Sequence, residues 1–213
     1  MSSKRRKYEL KARAERQQET RGRIVEATVD LHQEVGPART TVVEIARRAG
    51  VNRLTVYNHF PEDGELFAAC QGHFLARHPL PDLAEALAIE HPRARVRAVL
   101  GALYPSYSER EPMTSKVLRD RAAVPALDAL MERTMDAQQA DLVKGLASGF
   151  GARGKKAQRV RAVLAVALDF WTWQRLKRAG LDDEMAADLM AELVATADSQ
   201  RGSSTAAARG AEH

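Results

Sequence analysis

Residues 41–60 read TVVEIARRAGVNRLTVYNHF, and this stretch decides the fold of the N-terminal part of the chain. Thr41 and Glu44 have the spacing of a capping box, in which a hydroxyl and a carboxylate satisfy free N–H groups at a helix start. Gly50 is typical of a helix end, because glycine tolerates positive φ. Asn52 is a residue type that caps the start of a helix. The stretch therefore predicts two short helices, over 41–49 and 52–59, joined by a tight turn.

The apolar residues predict which faces of these two helices are buried. They recur at helical spacing at Val42, Ile45, Ala46, Ala49, Val56 and Phe60. A helix over 20–35, ended by Gly36 and Pro37, precedes the pair. Two short helices joined by a turn that contains glycine describe a helix–turn–helix. An ordinary helical hairpin with solvated side chains is the alternative.

The free face of the second helix carries hydrogen-bonding side chains suited to DNA. A major groove about 12 Å wide admits a helix, whose N-terminal residues meet base edges first. Arg53 can bind guanine through two hydrogen bonds, and Thr55 offers a hydroxyl and a methyl group for thymine. Tyr57 and His59 are placed for phosphates, as are the N–H groups of the helix that starts at Thr41. The candidate DNA-binding residues are Thr40, Thr41, Asn52, Arg53, Leu54, Thr55, Tyr57, Asn58 and His59.

The positive charge is concentrated at the same end of the chain. Residues 1–60 contain 13 Lys and Arg against 7 Asp and Glu, whereas residues 61–213 contain 20 against 21. This asymmetry favours a polyanionic partner for the N-terminal region. A protein that packages DNA without sequence preference is the alternative, but it would spread basic charge along the whole chain.

The rest of the chain predicts an all-α protein, because apolar residues recur at helical spacing and no strand pattern is visible. We expect a basic flexible arm over 1–19, the helix–turn–helix domain over 20–62, a larger helical domain over 63–197 and a disordered tail over 198–213. Further helices are predicted near 63–77, 82–90, 93–108, 112–121, 124–147, 155–179 and 183–197.

Several other classes of protein are disfavoured. The single cysteine, Cys70, cannot form an internal disulfide, and no apolar run reaches the roughly 18 residues of a membrane span. Gly149–Lys156 nearly matches a phosphate-binding loop, but helix rather than strand is predicted before it. No catalytic, metal or cofactor site is expected. We predict a cytoplasmic protein that is not an enzyme.

An ordered set of motifs resembles the N-terminal domain of the TetR family of transcriptional regulators. The resemblance covers about residues 20–68 and is carried by Thr40-Thr41-Val42, Ile45-Ala46, Ala49-Gly50-Val51 and Tyr57-Asn58-His59-Phe60. It implies an all-α homodimer whose N-terminal head reads a palindromic operator in double-stranded DNA. It also implies that residues 63–197 dimerise and bind a small effector. Most family members are repressors that the effector releases from DNA, and an activator of the same fold is the alternative.

Two positions depart from the family pattern. Leu54 stands where the family usually has a small residue or proline. A bulky apolar group there either contacts a thymine methyl group or holds the helix slightly further from the DNA. Gly64 lies where the family often has a lysine that reaches a phosphate, and Glu62, Asp63 and Glu65 surround it. The basic N-terminal arm, with Lys4, Arg5, Arg6, Lys7, Lys11 and Arg13, is expected to compensate through phosphates or a minor groove.

The C-terminal helices predict a dimer interface and an effector site. The helix over 155–179 has two apolar stripes, of which one is expected to face a second chain. The predicted interface residues are Val163, Val166, Trp173, Leu189 and Leu193. Aromatic residues and methionines on the middle helices suit a small apolar effector. The predicted effector contacts are Tyr104, Tyr107, Met113, Leu127, Met131, Met135 and Phe170.

Overall fold

The structure, a computed structural model, describes residues 2–199 and the side chains of residues 8–199. Within these residues all regular structure is helical, as the sequence predicted, and none of the helices is long and apolar enough to cross a membrane. The α-helices are α1 (Ser2–Glu34), α2 (Val42–Ala49), α3 (Arg53–His59), α4 (Asp63–Arg77), α5 (Ala84–Ala88), α6 (Pro92–Asp120), α7 (Pro125–Met131), α8 (Ala137–Ser148), α9 (Gly154–Ala167), α10 (Phe170–Arg178) and α11 (Asp183–Ser199).

The described residues form two compact units, whereas the sequence predicted a division after residue 62. Unit 1 combines residues 2–80 with 107–136, and unit 2 combines 81–106 with 137–199. Helix α6 is shared, because its first half belongs to unit 2 and its second half to unit 1. The first four helices therefore share their core with the end of α6, a contact between distant segments that helical periodicity does not reveal.

The first helix is much longer than predicted. Helix α1 begins at Ser2, so residues 2–19 of the segment predicted as a flexible arm over 1–19 are helical. Residues 2–19 contain neither Gly nor Pro and are rich in Lys, Arg, Glu, Gln and Ala, which favour helix. Lys11 and Glu15 also form an i,i+4 ion pair at 3.8 Å. Periodicity missed this part because an exposed helix needs no apolar stripe; the side chains of Lys4, Arg5, Arg6 and Lys7 lie outside the described set.

The end of α6 holds the loop before α2 in unit 1. The carboxylate of Asp120 accepts the Ala38 N–H at 3.1 Å, and Arg119 donates to the Val35 carbonyl at 3.1 Å. Gly36 lies between these contacts with a φ of +94°. A Cβ at this position would meet both the Arg119 guanidinium and the Asp120 carboxylate, so the close approach requires glycine.

Unit 2 is built on the packing of α9 against α8 and α11. Its buried residues include Val160 and Leu164 of α9, together with Met190 and Val194 of α11. Exposed ion pairs join α6 to α11: Arg93 binds Glu192 at 2.9 Å, and Arg97 binds both Glu184 and Asp188. These contacts order the last helix on the first half of α6.

Four predicted helices are divided or joined differently in the structure. The helix predicted over 155–179 is two helices, because Asp169 caps α10 by accepting the Thr172 N–H at 2.7 Å. The two predicted over 93–108 and 112–121 are one, since α6 continues through the exposed Pro105 and Pro112. The helix predicted over 124–147 consists of α7, a π-helical turn over Glu132–Asp136, and α8. The tail predicted to be disordered over 198–213 lies outside the described residues, except for Asp198 and Ser199, which belong to α11.

Candidate nucleic-acid interface

Helices α2 and α3 form the predicted helix–turn–helix. Gly50 ends α2 in the left-handed conformation, with φ of 66° and ψ of 39°. The Val51 N–H then donates to the Ala46 carbonyl at 2.9 Å, which closes the turn. The buried side chains of Ile45, Ala46, Ala49, Val56 and Phe60 join one core cluster with Ile24, Leu31 and Leu66. The tight turn and the shared core fix α3 relative to α2.

The start of α2 is a complete capping box. The Glu44 N–H donates to the Thr41 hydroxyl at 3.3 Å, and the Thr41 N–H donates to the Glu44 carboxylate at 3.3 Å. The Thr41 hydroxyl also donates to this carboxylate at 2.8 Å, and the Thr40 hydroxyl donates to the Gly36 carbonyl at 2.9 Å. Both predicted DNA-binding threonines therefore hold the local fold. Two of the N–H groups expected to meet a phosphate already have partners.

The start of α3 depends on Asn52. Its side-chain oxygen accepts the Thr55 N–H at 2.8 Å and the Thr55 hydroxyl at 2.9 Å. Asn52 thereby satisfies an N–H group that a helix start otherwise leaves without a partner. The Thr55 hydroxyl keeps its acceptor capacity, since it donates its own proton to Asn52.

Helix α3 has one buried face and one exposed face. Val56 is 2% exposed and anchors the helix in the core of unit 1. On the outside, Arg53 and Asn58 are exposed, Tyr57 is 49% exposed and Leu54 is 67% exposed. His59 and Thr55 are half-buried. An exposed leucine beside an arginine at the first turn gives α3 both an apolar group and a bidentate hydrogen-bond donor for base edges.

The two arginines of α2 differ in whether their guanidinium groups are available to contact DNA. Arg48 forms a two-pronged ion pair with Glu34, with distances of 2.6 and 2.7 Å. Hydrogen bonding to this guanidinium lowers the pKa of the Glu34 carboxyl. Arg47 is exposed. The ion pair of Arg48 joins α2 to α1, and no local sequence pattern indicates this contact.

The start of α4 does not favour a phosphate. Glu62, Asp63 and Glu65 are exposed around Gly64, and Asp63 and Glu65 lie in the first turn of the helix. Acidic side chains at this end complement the helix dipole but repel phosphates. On the other side of α3, residues of α1 line a groove together with Thr55 and His59. One of them is Arg13, which the sequence placed in the basic arm. The others, Glu9, Arg16, Gln17 and Thr20, were not singled out from the sequence.

The predicted effector contacts lie in different cores. Tyr104 and Phe170 are fully buried in unit 2, where the Tyr104 hydroxyl donates to the Ala167 carbonyl at 2.8 Å. In unit 1, Met113 belongs to the core that supports α3, and Leu127 and Met131 form a smaller cluster against which Met135 packs. Tyr107 is half-buried in unit 1. Helical spacing located apolar residues but could not assign them to a core or a pocket.

The predicted interface residues fall into two groups. Leu189 and Leu193 of α11 and Val166 of α9 are exposed, and Val163 is half-buried. Trp173 is a correction, because it is only 1% exposed and its indole N–H donates to the Asp183 carboxylate at 2.9 Å. The break at Asp169 separates Trp173 from the α9 stripe, so Trp173 is a core residue of unit 2.

The comparisons with known proteins cover mainly the helix–turn–helix. Residues 24–70 match the sequence model described as "Bacterial regulatory proteins, tetR family". An uncharacterized HTH-type transcriptional regulator of Mycobacterium tuberculosis is 43% identical over 51 residues, which are 24% of this chain and 27% of that protein. The HTH-type transcriptional regulator BetI of Yersinia pestis is 33% identical over 82 residues, which are 37% of this chain and 41% of that protein. The chain thus matches less than half the length of either relative.

Solved structures extend the similarity to most of the fold. A TetR-like transcriptional regulator from Rhodococcus sp. RHA1 aligns with a TM-score of 0.56 and 20% identity, over 82% of this chain and 93% of that one. A second transcriptional regulator from this Rhodococcus aligns with a TM-score of 0.53 and 19% identity, over 83% and 94%. At such low identity the similarity describes the fold alone.

Proposed function

We propose that this chain is a DNA-binding transcriptional regulator of the TetR type without enzymatic activity, because residues 24–70 match the sequence model of the tetR family of bacterial regulatory proteins. More specifically, we propose a homodimeric repressor that binds a palindromic operator and leaves it when a small effector binds. The observation that carries the proposal is the exposed face of α3, on which Arg53, Leu54, Tyr57 and Asn58 are held outward by the buried Val56. A cytoplasmic location follows from a DNA partner.

The proposed reading mechanism places α3 in the major groove. Arg53 at its first turn donates two hydrogen bonds to a guanine, and the exposed Leu54 packs against a thymine methyl group. Tyr57, Asn58 and His59 contact phosphates, which set the position of the helix without reading sequence. The capping roles of Thr41 and Asn52 support this reading, because they order the two helices before DNA is met.

The proposed dimer uses α9 and α11. Both helices expose apolar side chains that a protomer does not cover: Val166 on α9, and Met185, Leu189 and Leu193 on α11. Two helices from each protomer would form a four-helix interface. A two-fold dimer requires a palindrome with half-sites roughly 34–36 Å apart, about one turn of DNA.

The proposed effector response is a population shift. An effector can release DNA only if it binds more tightly to the form of the dimer that does not fit both half-sites. Helix α6 is the element through which we expect the shift to act, because it runs from unit 2 into unit 1 and ends at the Asp120 contact with Ala38. Tyr104, Tyr107, Met113, Leu127, Met131, Met135 and Phe170 remain the predicted effector contacts.

The first test is selection of bound sequences from a random duplex library at two salt concentrations. We expect a palindromic consensus that persists at the higher salt. Arg53→Ala should weaken operator binding by about 1–3 kcal/mol and relax the preference at one base position. Arg47→Ala, which removes an exposed arginine from α2, is the matched control and should leave the preference at every position unchanged.

Two outcomes would contradict parts of the proposal. Equal weakening of Arg53→Ala on operator and random DNA would make Arg53 a phosphate contact. The absence of a consensus, with binding that disappears as salt rises, would favour the non-specific packaging protein.

A further inference from the structure

A groove runs between the N-terminal part of α1 and helix α3. On the α1 side it is lined by Glu9, Arg13, Ala14, Arg16, Gln17, Gln18, Thr20 and Arg21, and on the α3 side by Thr55, Asn58 and His59. Arg53 and Leu54 are not part of this lining. The groove is therefore a different face of α3 from the one that we propose reads bases.

Basic and acidic side chains lie on different sides of α1. Arg13, Arg16 and Arg21 line the groove with Glu9 as the one acidic member, whereas Glu15 and Glu19 are not in the lining. Lys11 forms its ion pair with Glu15, away from the groove. The helix thus presents its guanidinium groups to the groove and keeps most of its acidic groups outside it, which makes the groove electropositive.

We propose that the phosphates of one DNA strand lie in this groove, held by Arg13 and Arg16 of α1 on one side and by Asn58 and His59 of α3 on the other. This inference rests on the proposed function and assigns α1 a part in binding the operator. The occupant is a phosphate backbone, because the arginine, glutamine, asparagine and histidine side chains of the lining can all donate hydrogen bonds to phosphate oxygens.

The helical state of residues 8–19 is central to the inference. Residues at positions i and i+3 of a helix share a face, so Arg13 and Arg16 present two guanidinium groups side by side. A disordered arm would lose conformational entropy when it bound DNA, whereas a helix that is already formed loses less. Arg16 is further ordered because its Nε donates to the Ala12 carbonyl at 3.1 Å.

The groove supplies a phosphate contact in place of the one that the acidic start of α4 disfavours. Glu62, Asp63 and Glu65 make that end of the helix acidic, so a contact with the DNA phosphate backbone there is disfavoured.

Arg21, the third arginine of the groove, packs over the Phe60 ring with its guanidinium carbon 4.5 Å from the ring centroid. This contact ties α1 to the residue that ends α3, so the two sides of the groove keep a fixed separation.

The test measures the salt dependence of operator binding for Arg13→Gln, Arg16→Gln and the double variant. Glutamine removes the charge and keeps high helix propensity. Lys144→Gln is the control, because it removes one exposed positive charge from α8, outside the groove. For the double variant we expect the slope of log K against log salt to become shallower by about 2, with an affinity loss on the order of tenfold at low salt. Lys144→Gln should change neither quantity.

Methylphosphonate substitution locates the contact on the DNA. Replacing single phosphates of the operator with uncharged methylphosphonates should weaken wild-type binding at a few positions of one strand per half-site. At these positions the double variant should be insensitive. Selection of base sequences by the double variant should give the wild-type consensus, since phosphates carry no sequence information.

The outcomes separate this inference from the proposed function. If the wild-type protein selects no consensus, the proposed function fails. If it selects a consensus but the double variant keeps the wild-type slope and the wild-type sensitivity to methylphosphonates, only the groove proposal is overturned. Circular dichroism of each variant shows whether α1 remains helical, and the double variant should keep the wild-type helix content.

Discussion

Helices α3 and α11 both expose side chains, but the exposed groups differ in chemistry. Helix α3 presents the hydrogen-bonding side chains of Arg53, Tyr57 and Asn58 and one isolated leucine, Leu54, which is 67% exposed. Helix α11 presents a stripe of three apolar side chains, Met185, Leu189 and Leu193, which are 56%, 38% and 46% exposed. Polar groups are well solvated in water, whereas covering several large apolar groups in one stripe lowers the free energy. The difference fits the proposed roles, a DNA partner that α3 binds reversibly and a second protomer that stays on α11.

The two helices also differ in how they are held. Helix α11 has 17 residues and buries Ala186, Ala187, Met190, Ala191, Val194 and Ala197. Helix α3 has seven residues, of which only Val56 is fully buried. An isolated helix of that length is unstable in water. The conformation of α3 therefore depends on its caps and on the core beneath it, while α11 depends on its packing.

The largest expected effect comes from making the α11 stripe polar. Replacing Leu189 and Leu193 together by Glu should give a folded monomer in analytical ultracentrifugation, because two charges per protomer would meet their equivalents across the two-fold axis. Operator affinity should fall on the order of 100-fold or more, since a monomer loses the gain from binding two half-sites at once.

The matched control is Leu87→Glu. Leu87 is 39% exposed on α5, so the same substitution is made at a leucine of similar exposure outside the stripe. This variant should remain a dimer and keep its operator affinity. A double variant of α11 that stays dimeric would place the interface elsewhere.

Much of α2 and α3 was predictable because their signals are local. Thr41 and Glu44 are three residues apart, and Gly50 and Asn52 mark the turn, so the pattern alone gave both helices and their caps. The contact of Gly36 with Arg119 and Asp120 joins residues more than 80 positions apart, and no local pattern indicates it. The groove beside α3 was missed for a related reason, since it depends on where a long exposed helix lies.

The last helices were harder to predict because their boundaries depend on single side chains. Asp169 ends the pattern of α9 by capping α10, yet an aspartate inside a helical pattern usually suggests an exposed position. The predicted interface stripe that includes Val166 and Trp173 was therefore drawn on a continuous helix that the structure divides. Trp173 is buried in unit 2 rather than available to a second chain.

A second prediction concerns acid sensitivity in the core beneath α3. His32 is 4% exposed and stacks on Phe67, with ring centroids 5.6 Å apart. Burial lowers its pKa from 6.5 to about 4, although the nearby Asp120 carboxylate opposes this shift. Because the pKa of His32 is lower in the folded protein, His32 binds a proton in the unfolded chain before it does so in the folded protein as the pH falls. Stability is therefore complete above a pH of about 6.5 and declines as the pH falls toward about 4.

The measurement is urea unfolding followed by circular dichroism at pH values of about 7 and about 5. Between them His32 should account for a loss of about 2 kcal/mol. His32→Gln should be less stable at neutral pH but should lack this loss. The carboxyl pKa values of Glu34 and Asp120 are lowered from 4.5 and 3.8, so their contributions decline only at lower pH. An unchanged pH dependence in His32→Gln would show that the ring is not the sensitive group.

The smallest expected effect separates capping from DNA contact at Asn52. Asn52→Ala removes the oxygen that accepts the Thr55 N–H and hydroxyl, and should lower stability by about 1 kcal/mol. Asn52→Ser keeps an oxygen that can cap the helix, so it should retain most of the stability. If Asn52 acts only by ordering α3, the serine variant should also bind the operator with affinity close to that of the wild type.

The opposite result would assign Asn52 a direct contact with DNA and leave the proposed role of α3 unchanged. A serine variant that unfolds at the wild-type urea concentration but binds the operator more weakly would mean that the Asn52 amide contacts DNA, as the sequence suggested. The stability of the dimer serves as the internal control, because neither substitution at Asn52 should affect the α11 stripe. A change in operator affinity at constant dimer stability then belongs to α3 alone, the helix whose short length makes it depend on its cap.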